Sequence, residues 1–286
     1  MPVAAAAKRL SWASIDWTEP LPVGFLLPEE VYRFETVPGL IWAQRVRLNH
    51  LATCFSFELM LHLKRFSIRY LERHLRRLAR RHPEKNLPRL LKNQRRHARV
   101  FDRVLNRIRP DLYSRSEDRR LLPWTRTDSA LVRLVPAATF FTLASLGEEI
   151  ARALPRALDE RPEECFGPIV DVMRLHAREE RRQIAVDDAV LLDAAASRPA
   201  TLVKAQVLFT IPLLKHLDRR VRRAWSRAVD RFADEEGLTR EQRCVLRDRI
   251  PSRSDLSGLR AFLAKKRCRR VPGHDTLRRV LQAQLC

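Results

Sequence analysis

The sequence His176-Ala-Arg-Glu-Glu180-Arg-Arg-Gln183 lies in the middle of a charged stretch that extends from about residue 162 to 195. Its spacing places His176, Glu180 and Gln183 on one stripe of an α-helix. A histidine and a carboxylate on an inward stripe are the groups with which a helix binds a metal ion inside a bundle. Gln183 stands where such a stripe usually carries a second histidine, so the motif predicts a helical bundle with an altered metal site.

The composition favours an all-α protein. The 286 residues include only seven glycines, and residues of high helix propensity such as Leu, Ala and Arg are abundant. Apolar periodicity and prolines predict long helices over 42–81, 87–108, 132–158, 162–195 and 200–235, with a loop over 109–130. Shorter helices are predicted near 239–249, 254–269 and 274–284.

We expect three regions along the chain. Residues 1–44 are predicted to form an extended N-terminal arm packed on the bundle, because prolines at 20, 22 and 28 prevent a regular helix. Residues 45–235 are the expected bundle, and residues 236–286 the expected C-terminal extension of short helices.

The charge of the chain is strongly positive. Basic residues number 56 against 34 acidic ones, a net charge of +22, and only eight of the basic residues are lysine. Two interpretations stay open: a solvated arginine-rich surface, or a surface that binds an acidic protein partner. Nucleic-acid binding is not favoured, because it would rest on charge alone without any recognised binding motif.

The apolar and cysteine patterns predict a cytoplasmic protein without a membrane span. The most apolar stretch, 131–146, contains Arg133 and Pro136 and is too short to cross a bilayer. The five cysteines are widely spaced and form no Cys-x-x-Cys pair, which favours reduced thiols over disulfides or a zinc knuckle.

Candidate metal ligands lie on four of the predicted long helices. Ferritin-like di-iron bundles take one Glu from each of two helices and a Glu-x-x-His pair from each of the other two. Mixed carboxylate and imidazole donors favour iron or manganese over structural zinc. The matching positions here are Glu58, Gln94 with His97, Glu148 or Glu149, and His176 with Glu180 and Gln183.

Further motifs occur in order along residues 12–195: Asp16-Trp17, Pro20-Leu21-Pro22, Phe57-Glu58, Gln94-Arg-Arg-His97, Gly147-Glu148-Glu149 and His176-x-x-x-Glu180. Together they resemble the AurF-type p-aminobenzoate N-oxygenases, a family of ferritin-like di-iron oxygenases. The resemblance implies a ferritin-like fold, two iron ions, an external electron donor, and oxidation of an amine or another small aromatic substrate by dioxygen.

The resemblance also implies which residues bind metal. It assigns Glu58, His97, Glu148 or Glu149, His176 and Glu180 to ligand positions, and apolar residues such as Phe55, Met60 and Phe101 to the substrate pocket. Gln94 replaces a glutamate ligand and Gln183 replaces a histidine ligand. A glutamine offers only a weak carbonyl oxygen to a divalent ion, so both replacements weaken the expected site.

Two functional interpretations therefore stay open. The chain is either a divergent oxygenase with two metal ions or one, or a metal-depleted pseudoenzyme that acts as a binding module for an acidic partner. His62, one turn beyond Glu58, is a candidate to supply a compensating nitrogen. The identity of the substrate, the reductase and any oligomeric state are left open by the sequence.

Overall fold

The computed structural model describes residues 10–81, 87–109, 120–151, 158, 161–251 and 271–283. Within these ranges the chain forms α-helices and no β-strand, so the all-α prediction is confirmed. The predicted helix over 254–269 lies outside the described residues. The helices are α1 (Trp42–Arg81), α2 (Leu87–Ile108), α3 (Arg126–Leu134), α4 (Ala137–Ala151), α5 (Gly167–Ala196), α6 (Ala200–Leu208), α7 (Thr210–Glu236), α8 (Arg240–Asp248) and α9 (His274–Ala283).

Helices α1 and α2 have the predicted bounds, but the next segment differs. The predicted loop over 109–130 overlaps α3, whose first turn is closed by a capping box between Thr125 and Asp128. Pro136 then separates α3 from α4, because proline cannot donate the backbone hydrogen bond that a continuous helix needs. No helix in the described ranges is by itself long and apolar enough to cross a membrane; only α3 and α4 together pass that test, and they are bent by 118°.

The predicted helix over 200–235 is divided into α6 and α7 at Phe209. Pro212 lies in the first turn of α7, where its missing N–H cannot bond to the preceding turn. Gly237 ends α7 in the left-handed conformation, with φ of 64°. These breaks turn the chain so that α6 packs against α4 and α9, while α7 packs against α1 and α8.

The residues that precede α1 form an irregular arm with two 3-10 turns, Glu29–Val31 and Phe34–Thr36. Leu26, Leu27 and Phe34 of this arm are fully buried in the bundle core. Asn49 of α1 fixes the arm: its side-chain oxygen accepts from the amides of Leu26 and Leu27, and its side-chain nitrogen donates to the Leu27 carbonyl. The arm is therefore part of the hydrophobic core.

The interior of the bundle is built from two apolar clusters. Helix α1 pairs with α2, α4 pairs with α5, and α2 contacts α5. One cluster contains the arm, the first half of α1 and α5, the second half of α2, and α7; the other contains the second half of α1 and α5, the first half of α2, and α4, α6 and α9. Between them, α1, α2 and α5 carry buried polar residues. Eight buried polar residues form what we call the polar layer: Lys64, Gln94, His97, Glu148, His176, Glu180, Gln183 and Asp187.

Replacement of Asn49 by alanine is expected to detach the arm. It leaves two buried amides and one buried carbonyl without their side-chain partner, so we expect Asn49→Ala to lower the free energy of unfolding by about 2–4 kcal/mol. Urea denaturation measures this loss. Arg73→Ala, on the exposed face of the same helix, should change the same quantity by less than about 0.5 kcal/mol. Equal effects of the two substitutions would contradict the assigned role of Asn49.

Candidate metal centre

The polar layer combines side chains from four helices at the middle of the bundle. Their helical positions face inward because each helix places apolar residues one or two turns before and after them. All of them are buried, at 7% exposure or less. The layer consists of Lys64 on α1, Gln94 and His97 on α2, Glu148 on α4, and His176, Glu180, Gln183 and Asp187 on α5.

Three of these residues form a group with the geometry of a metal site. One ligand atom from each of His97, His176 and Glu180 lies within 4.8 Å of the other two. Glu180 Oε1 is 3.2 Å from His97 Nδ1 and 3.1 Å from His176 Nε2. Three of the predicted ligands, His97 on α2 and His176 and Glu180 on α5, thus lie together. The structure supports a triad that could bind a metal ion, and it does not specify which metal.

Several atoms of this triad lack hydrogen bonds to any residue that the structure describes. They include His176 Nδ1 and Glu180 Oε2, while His97 Nδ1 and His176 Nε2 lie near Glu180 Oε1 without the alignment of a hydrogen bond. Buried polar atoms without a partner cost free energy, on the order of 1–3 kcal/mol each, so protein interiors rarely leave several of them side by side. One ion could bind one nitrogen of each imidazole and one oxygen of Glu180, which means that the residues present fit one metal ion.

Hydrogen bonding and burial act differently on the two histidines. His97 Nε2 lies 2.8 Å from Glu179 Oε2, and since a carboxylate only accepts, this nitrogen carries a proton. Its other nitrogen, Nδ1, lies 3.2 Å from Glu180 Oε1. Burial, and the nearby Lys64 ammonium, lower the pKa of His176 to about 4 although Glu180 opposes this shift. The His176 side chain is therefore a neutral imidazole at neutral pH.

Glu179 holds His97 from behind. Its carboxylate also accepts hydrogen bonds from the Arg96 guanidinium at 2.6 Å and from the Trp12 indole at 2.9 Å. Burial would raise the pKa of Glu179, but these three donors lower it to about 2. A carboxylate on the second nitrogen of a histidine is the common way in which proteins orient a metal-binding imidazole.

Lys64 is the polar-layer residue that sequence reasoning missed. Its ammonium donates to Glu180 Oε1 at 2.9 Å, and its side chain is only 9% exposed. Burial alone would raise the pKa of Glu180, but Lys64 and His176 hold it well below its usual range. One signal was available: Lys64 follows the inward Phe57 and Leu61 by seven and three positions, on a helix whose other cationic side chains are arginines and histidines.

The two glutamines bond to each other. Gln94 Nε2 donates to Gln183 Oε1 at 2.5 Å, which joins α2 to α5 beside the triad. Gln94 Oε1 and Gln183 Nε2 have no hydrogen-bond partner within the described ranges. The amides at the two replaced ligand positions are therefore adjacent, as the ligand pattern predicts, but they form a neutral pair.

Glu148 and Asp187 form a pair of buried carboxyl groups. They hydrogen-bond to each other, and burial together with the neighbouring carboxylates raises the pKa of both well above the usual range. For Glu148 the charges are those of Asp187 and Glu180; for Asp187 they are those of Glu180 and Asp188. The side chain of Glu149, the alternative ligand on α4, lies outside the described part of the structure.

The structure places Glu58 and His62 in other contacts. The Glu58 carboxylate accepts hydrogen bonds from the amides of Leu121 at 3.0 Å and Leu122 at 2.6 Å, so it anchors the segment before α3. His62 Nε2 lies 3.5 Å from Asp128 Oδ1 and stacks near Trp124. Neither belongs to the triad.

Of the apolar residues assigned to a substrate pocket, Phe101 lies beside the triad, and the other two lie in or next to the hydrophobic core. The Phe101 ring lies 4.9 Å from the His176 ring, next to the triad. Phe55 instead packs on Trp225 in the core, at 5.2 Å, and Met60 is half-buried beside that core. A surface groove of about 790 Å³ between α1 and α2 is lined by apolar and cationic side chains, none of them from the triad.

None of the family models, characterised proteins or solved structures compared with this chain matches it.

We predict that Asp187→Asn changes how stability depends on pH. A carboxyl whose pKa is raised by folding binds its proton more strongly in the native state, so its stabilising effect is lost as pH rises above the ordinary carboxyl pKa. Removing Asp187 also removes the charge that raises the pKa of Glu148. The free energy of unfolding of the variant relative to wild type should therefore increase steadily between pH 5 and pH 8 in urea denaturation.

Glu163→Gln, which alters an exposed carboxylate, is the control and should give a difference that does not vary with pH. A pH-independent difference for Asp187→Asn would mean that Glu148 and Asp187 do not share a proton.

Proposed function

We propose that this chain is a metal-dependent oxidoreductase with a ferritin-like bundle, in which His97, His176 and Glu180 bind one iron ion. The proposal rests on one observation: three buried ligand atoms, two imidazole nitrogens and one carboxylate oxygen, lie within 4.8 Å of one another. Two histidines and one carboxylate with open positions are the donor set of non-haem iron(II) oxygenases. Manganese, which accepts similar donors, is the alternative ion.

Each residue of the site has a distinct role in this proposal. Glu179 orients His97 and fixes its proton on Nε2, so that Nδ1 donates to the ion. His176 is neutral and Glu180 is ionised, for the reasons given above. Iron bound in this donor set would supply the activation of dioxygen. The apolar clusters on both sides of the layer exclude water from the reaction.

The substrate class follows from the resemblance to the AurF-type oxygenases. We propose an amine or another small aromatic, which would lie against Phe101 and His176. One oxygen atom of dioxygen would enter the substrate, while the other leaves as water with two protons and two electrons from an external donor. A donor with an acidic surface would suit a chain of net charge +22.

The ferritin-like assignment is supported by the order of the donors along the chain. Polar groups enter the layer from α1, α2, α4 and α5, which is the number of helices that supply ligands in a di-iron bundle. The number of ions differs, however, because Glu58 binds backbone amides and the two glutamines bind each other. We therefore propose one ion where the resemblance alone implies two.

A metal-free binding module is the second candidate, and one observation favours it. Lys64 already neutralises Glu180 with an ammonium at 2.9 Å, so part of the layer is balanced without any ion. In that case the triad would be a polar core and the protein would act through its basic surface. The two candidate functions predict different effects of replacing His176 on metal binding.

We predict that His176→Phe abolishes metal binding without destabilising the metal-free protein. Nδ1 of His176 has no hydrogen-bond partner among the described residues and Nε2 lies near Glu180 alone, at 3.1 Å, so the somewhat larger phenyl ring removes polar atoms that stabilise the metal-free protein little. Wild type should bind about one iron(II) per chain under anaerobic conditions and melt at a higher temperature with iron, because a ligand that binds only the native state stabilises it. The variant should show neither effect.

His62→Phe is the matched control, since His62 is also a buried histidine but lies outside the triad. It should keep the bound iron. Wild-type protein with less than about 0.1 iron per chain and a melting temperature unaffected by iron or manganese would favour the metal-free module instead.

We predict that Glu179→Gln weakens metal binding without removing it. The amide no longer fixes the proton on His97 Nε2, and such outer-shell changes cost about 10–100-fold in metal affinity. Competition with a chelating dye measures the dissociation constant for cobalt(II). Glu72→Gln is the control, because Glu72 pairs with Arg95 on the protein surface much as Glu179 pairs with Arg96 at a part-buried position. Equal affinities of Glu179→Gln and wild type would show that His97 is not a ligand.

A further inference from the structure

Lys64 places a positive charge among the carboxyl groups of the polar layer. Its ammonium bonds to Glu180 Oε1 at 2.9 Å, and its charge also acts on Glu148 and Asp187. We propose that Lys64 takes the place of a second metal ion and is the residue that limits this site to one. The proposal rests on the proposed function, because it assumes that the triad binds the first ion.

The Lys64 ammonium lies among carboxyl groups that a second ion would need. A second ion in this bundle would need anionic oxygens beside the triad, and the described side chains that offer carboxyl groups there include Glu148, Glu180 and Asp187. The Lys64 ammonium already acts on all three of them. A divalent ion added among them would meet like-charge repulsion in a buried region, where such repulsion is poorly screened.

The two glutamines of the polar layer add no charge that could bind a second ion. Gln94 and Gln183 supply no negative charge and no imidazole nitrogen, and their amides bond to each other at 2.5 Å. With Lys64, they make a region that is balanced by one positive charge rather than by a divalent ion. The triad lies next to this region but keeps its own unpartnered atoms for an ion.

The choice of lysine over arginine is consistent with this role. Lysine is rare in this chain, eight residues among 56 basic ones. An ammonium is a compact charge with three donors that point in different directions, whereas a guanidinium is planar and binds carboxylates side by side. A compact cation among several carboxyl groups resembles a bound metal ion more closely.

The test compares four proteins: wild type, Gln94→Glu with Gln183→His, Lys64→Met, and the triple variant that combines them. Each is loaded anaerobically with cobalt(II), freed of unbound metal and analysed for metal per chain, with melting temperatures measured before and after loading. We expect one ion in the first three proteins. The triple variant should bind two, because it has lost the ammonium and gained a carboxylate and an imidazole.

The melting temperature gives a second, independent result. Lys64→Met leaves the Glu180 carboxylate without its cation, so the metal-free variant should melt below wild type and should gain more than wild type on addition of cobalt. Lys215→Met, an exposed lysine on α7, should behave as wild type in both measurements. If Lys64→Met does not fold, Lys64→Gln keeps a hydrogen-bond donor for Glu180 and replaces it in every comparison.

Two results would overturn the proposal. One is a second ion in Gln94→Glu with Gln183→His while Lys64 is present, and the other is a single ion in the triple variant. Failure of the proposed function looks different. If wild type binds no ion but Lys64→Met binds one, the triad proposal fails for the natural chain while Lys64 still acts as the metal substitute. If no protein in the set binds cobalt, both proposals fail.

Discussion

The bond between Lys64 and Glu180 is the interaction on which the interior of this protein depends. A fully buried carboxylate needs a compensating charge, because removing it from water costs on the order of several kcal/mol. The ammonium at 2.9 Å provides that charge before any metal is considered. Two apolar clusters can then form on either side of the polar layer without leaving an isolated anion between them.

The N-terminal arm is connected to the same interior. Asn49 fixes the arm through three hydrogen bonds to Leu26 and Leu27, and Trp12 of the arm donates to Glu179, which in turn orients His97. Each of these bonds crosses between segments that are distant in the sequence. The orientation of a candidate metal ligand therefore depends on a part of the chain that lies outside the four helices of the layer.

The polar layer contains two halves with different electrostatic properties. The triad side has two imidazoles and one carboxylate whose ligand atoms lie close together, which suits a divalent ion. The other side has a glutamine pair, two carboxyl groups with raised pKa values and a lysine, which together need no ion. We propose that the first half is a metal site and that single side chains of the second half exclude another ion.

Three of the long helices and their inward faces could be predicted from the sequence. Periodicity located α1, α2 and α5, and it placed His97, His176 and Glu180 on buried stripes, because a helix repeats its inward face every three to four residues. It also gave the neighbouring positions of Gln94 and Gln183.

The hydrogen-bond partners of the polar side chains could not be predicted from the sequence. Glu58 accepts hydrogen bonds from the amides of Leu121 and Leu122. Lys64 of α1 bonds to Glu180 of α5, and Glu179 bonds to His97. Long side chains choose among partners several ångströms away, and that choice depends on helix packing and on loop positions, which no pattern within one helix specifies.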